Sequence, residues 1–228
     1  MDGAASVRDQ WGASHFVLVA DTELASLGLS EPDRRLLGTI GLPVSPGSAL
    51  RLNLRFETVD IHHRPATVGL LSETNFEKTR FYPLSGDPDV DSWARLDRFV
   101  VLGEVPNDFG PGSYFSTRFV CLDAVSGKVS WVYPTPDRQG RSLCCVLNTS
   151  LSAYLASLLA YRRFRDQWPH LQEVWSKADD SSVDSEYTPL AKRAHAEFLR
   201  DLEAADPTGF DGGFWDCHAG NEAILLEI

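Results

Sequence analysis

The side chains of this chain that could do chemistry are six histidines, four cysteines and two concentrations of acid. His195-Ala196-Glu197 supplies the H-x-E half of a zinc-deaminase pattern, in which the histidine holds the metal and the glutamate moves the proton. The other half, P-C-x-x-C, is missing, and Cys217 stands alone downstream. A histidine on a helix surface accounts for His195 better, because a zinc site needs three or four donors. His62 and His63 are neighbours, so a strand would send them to opposite faces, where they cannot share one ion. Cys217-His218 has no companion pair. The chain contains no G-x-S-x-G elbow, no H-E-x-x-H, no Walker loop and no G-x-G-x-x-G. The glycines of FGPGSYF (Phe109 to Phe115) have no lysine beside them and no helix start after them, and read as a turn. No catalytic residue, metal site or cofactor is expected.

The acids point elsewhere. Asp87, Asp89, Asp91 and Asp97 surround Trp93, and Asp179, Asp180, Asp184 and Glu186 line a later loop. The first three have the spacing of a calcium loop, but Pro88 interrupts them and the glycine and glutamate of such a loop are not in place. Solvated loops are the plain reading. The functional one is that Asp87, Asp89, Asp91 and Trp93, with Asp179, Asp180, Asp184 and Glu186, dock a basic protein surface. The formal charge of −11, from 32 acids against 21 bases, suits a basic partner and repels nucleic acid.

The N-terminus carries no basic region followed by an apolar core, and FVLVA (Phe16 to Ala20) is too short for a signal and runs into acids. No apolar run approaches the roughly 18 residues of a membrane span. A soluble, cytoplasmic protein with reduced cysteines (Cys121, Cys144, Cys145, Cys217) is expected. Asn148-Thr149-Ser150 then reads as a helix cap, not as a glycosylation acceptor.

Elements that would position these residues follow from periodicity. Ser30 caps a helix through Leu36, Leu37 and Ile40, which Gly41-Leu42-Pro43 stops. Leu50, Leu52, Leu54 and Phe56 alternate as a half-buried strand; ATVGLL and RFVVLGEV are further strands. STRFVCLD, AVSG and KVSWVYP form a hairpin, and LCCVLN adds a third strand to it. Leu151, Tyr154, Leu155, Leu158, Tyr161 and Trp168 then form one helical stripe. Asn148, Thr149 or Ser150 can each begin this helix, with Thr149 the expected N-cap; Pro169 is expected to close it, with Arg162, Arg163 and Arg165 in its last turns. Thr188-Pro189 opens a second long helix through Leu190, Ala194, Phe198 and Leu202, which Asp206-Pro207 ends.

The order of these elements resembles the SUKH superfamily, and most closely its fourth group of bacterial immunity proteins. The resemblance is carried by LGTIGLP (Leu37 to Pro43), FVVLGE (Phe99 to Glu104), CLDAVSGKV (Cys121 to Val129) and VLNTSLSAYL (Val146 to Leu155). Ala205-Asp206-Pro207 and Phe214-Trp215 resemble the group's C-terminal region. The resemblance implies a non-enzymatic immunity protein that binds a cognate polymorphic toxin, a nuclease or nucleic-acid deaminase, stoichiometrically. The expected fold is α+β: a curved, mainly antiparallel sheet over Leu50 to Leu147, flanked by helices. The whole chain, 1–228, would be one SUKH-like domain, with a core over about 22–168 and a helical extension over about 169–228. A regulatory or scaffolding module of the same fold is the alternative; a hydrolase or transferase would need a cleft of titratable groups that the sequence does not name.

Overall fold

The structure, a computed structural model, describes residues 10, 12, 15–44, 50–54, 57–63, 65, 68–71, 96–105, 118–136, 142–177 and 183–210. Nine strands are described: β1 Phe16–Val17, β2 Leu42–Pro43, β3 Leu50–Leu54, β4 Glu57–His63, β5 Gly69–Leu70, β6 Phe99–Val105, β7 Arg118–Asp123, β8 Val129–Pro136 and β9 Ser142–Asn148. The α-helices are α1 Asp21–Leu24, α2 Glu31–Thr39, α3 Leu151–Lys177 and α4 Val183–Ala205.

All described strand pairs are antiparallel. β3-β4-β6-β7-β8-β9 form one sheet, to which β5 adds beside β6; β1 and β2 form a separate pair. The β7–β8 hairpin pairs Phe119 with Val132 and Leu122 with Val129, as its alternation predicts, and β9 is the next strand of the meander. The hairpin turn is braced by Asp123, which is buried. Its carboxylate accepts from Arg98 Nη2 at 2.7 Å, Ser126 Oγ at 2.7 Å and the Val125 N–H at 3.0 Å. Gly103 marks the shift in β6 register: a Cβ there would lie 2.7 Å from the His62 carbonyl oxygen, so only glycine lets β4 approach.

The core lies between one face of the sheet and α3. Val100, Leu102, Val120, Leu122, Trp131 and Leu147 meet Leu151, Tyr154, Leu155 and Leu158. The opposite face is also buried, around Leu71, Phe99, Val101, Phe119, Cys121 and Val132. Burial on both faces explains the unbroken apolar runs FVVL and FVCL. α4 completes the layer against α3, where Phe198 stacks on Phe164 with ring centres 4.7 Å apart and meets Tyr161 edge-on.

Three expected helix boundaries are corrected. Ser150, not Thr149, caps α3, accepting the Ala153 N–H at 3.1 Å, because Thr149 is taken by Asp206. Pro169 does not close α3, which runs on to Lys177. A proline costs one backbone bond and some steric relief, and helix-forming sequence on both sides carries α3 past it. Arg162 and Arg163 are therefore mid-helix, where they reach Asp166 at 3.6 Å and Asp201 at 3.3 Å. Pro189 lies inside α4, which starts at Val183; the proline is exposed and only the helix's first turns precede it. Asp206 does end α4, and Ser30 caps α2 by accepting the Asp33 N–H at 3.3 Å. The stretches 72–95 and 211–228, with the aspartate-rich turn and the Phe214-Trp215 pair, lie outside the described residues.

Candidate partner-binding surface

Asp87, Asp89, Asp91, Trp93, Asp179 and Asp180 lie outside the described residues, and Asp184 and Glu186 are described only as backbone positions in the first turns of α4. The site must therefore be sought among the described groups, first those inside and then those at the surface.

Two buried polar clusters lie in the interior. His63 points inward and His62 outward, as neighbours on a strand must. His63 Nδ1 lies 2.8 Å from the Pro43 carbonyl and its Nε2 lies 2.9 Å from the Tyr154 hydroxyl. A carbonyl only accepts, so Nδ1 carries the proton and Nε2 accepts from the tyrosine. Burial, against the favourable bond to Pro43 and with a small push from His62, lowers the histidine pKa to about 4. Burial likewise holds the Tyr154 hydroxyl protonated well above the usual phenol range. The ring is a neutral connector between β2, β4 and α3.

The second cluster gathers at Asp206. Its Oδ2 accepts the Thr149 N–H at 2.7 Å and Asn148 Nδ2 at 3.1 Å; its Oδ1 accepts the Thr149 hydroxyl at 2.5 Å and the Gly209 N–H at 3.2 Å. Asn148 Nδ2 also donates to the Ser157 hydroxyl at 3.0 Å. Every group named here has a partner within the chain, and neither cluster opens to a reactant. Among the described residues no three His, Cys, Asp or Glu side chains could hold a metal ion. His195 is a half-buried residue of α4.

Two surface features remain. A groove of about 270 Å³ runs between α3 and α4, floored by Ala160, Phe164, Ala194 and Phe198. Its rim sets Arg163 and Arg200 against Glu197 and Asp201, a balance that favours neither an acidic nor a basic ligand. The other feature is the extended segment Phe16 to Ala20. Phe16 and Val19 are buried, while Val17 and Leu18 are 44% and 47% exposed. Gly41, at φ +85°, holds this segment in place: a Cβ would fall 2.2 Å from the Val17 carbonyl oxygen. Sequence reasoning weighed FVLVA only as a failed signal peptide. The signal available was its position, an apolar run ending directly in Asp21 and Glu23.

No helix of the described residues is long and apolar enough to cross a membrane. No curated relative and no solved structure matches the chain. A family model does, over residues 3–219, which includes every element described above. It covers all of the motifs, from LGTIGLP to Phe214-Trp215, and nearly the whole chain, so the chain belongs to the SUKH-4 immunity protein family.

Proposed function

We propose that the chain protects its own cell by binding a cognate polymorphic toxin stoichiometrically and holding it inactive, without chemistry of its own. The observation that carries this reading is the family match over nearly the whole chain. The described interior supports it, since buried His63, Asp123 and Asp206 are bonded internally. The toxin would be a nuclease or nucleic-acid deaminase acting in the cytoplasm. Such a domain carries a basic substrate surface, and the chain's charge of −11 complements it. The acidic clusters Asp87, Asp89, Asp91 with Trp93, and Asp179, Asp180, Asp184, Glu186, are further contact candidates on the same reasoning. Co-expression with the toxin domain encoded beside this gene tests the proposal. Survival of the cells with a one-to-one complex on purification is the expected result. Death of the cells with no complex, from a toxin shown to be active, overturns it.

A further inference from the structure

We draw no further inference here: the strongest candidate, the groove between α3 and α4 over Ala160, Phe164, Ala194 and Phe198, has a floor that is already buried and a rim of balanced charge, and nothing in the structure shows what covers it.

Discussion

Asp206→Asn changes one oxygen to an amide group at a position 3% exposed, and its cost can be worked out bond by bond. The carboxylate receives four donors, two on each oxygen. An asparagine must turn its amide nitrogen toward one pair. Facing the Thr149 N–H and Asn148, it would oppose one fixed N–H and one amide that can reverse only by flipping out of its present contacts. Facing Thr149 Oγ1 and the Gly209 N–H, it opposes one hydroxyl, which can rotate and accept, and one fixed N–H. The second arrangement wins. It leaves the Gly209 N–H with only its bond to the Asp206 backbone carbonyl and weakens the remaining side-chain bonds from charge-assisted to neutral, together about 2 kcal/mol. Asp206→Ala strands the Thr149 N–H and one Asn148 hydrogen at once and leaves a small void, for about 4 kcal/mol. Urea unfolding followed by tryptophan fluorescence, with linear extrapolation to water, reads both values. The order wild type, Asn, Ala is the expected result. Loss below about 1 kcal/mol for D206N, or equal loss in the two variants, would refute the claim that this carboxylate fastens α4 to the β9–α3 junction.

Two further perturbations follow from the same structure. His63 has a folded pKa of about 4, below its ordinary 6.5, so the stability its neutral ring contributes is full above pH 6.5. That contribution is lost as pH falls toward 4, about 3 kcal/mol in all. His63→Gln should flatten the unfolding free energy across this window, and a slope equal to wild type would show that His63 is not the group titrating. Gly41→Ala places a methyl 2.2 Å from the Val17 carbonyl oxygen at φ +85°; strain and overpacking predict about 3 kcal/mol of destabilisation. An urea midpoint unchanged from wild type would mean that β1 is not clamped there.

Much of the sheet was legible because its signals are local. Asp123, Ser126 and Gly127 define a turn, and the flanking residues alternate or run apolar over strand lengths, so the hairpin and its third strand could be placed. The opposite facings of His62 and His63 followed from the two-residue period. Proline was the misleading local signal. Pro169 and Pro189 each remove one backbone bond, and helices as long as α3 and α4 absorb that loss. The sequence-distant pairings were not legible at all: Asp206 meets Thr149 across 57 positions and Tyr154 meets His63 across 91. Nothing near Thr149 announces that its hydroxyl is engaged, which is why it could pass for the cap. The acidic candidates were chosen by composition, which reports charge but not whether a carboxylate already has a cation.

Several of the residues within the motifs that carry the family resemblance are internal braces. Asp123 and Ser126 tie the hairpin turn, Asn148 and Asp206 tie β9 to the two long helices, and Gly41 lets β1 lie against the end of α2. Each has its bonding or its space used inside the chain, so none of them is free to choose a partner. A fold fixed by such braces can keep its sheet and helices while its surface side chains vary, because surface substitutions away from structural contacts change stability little.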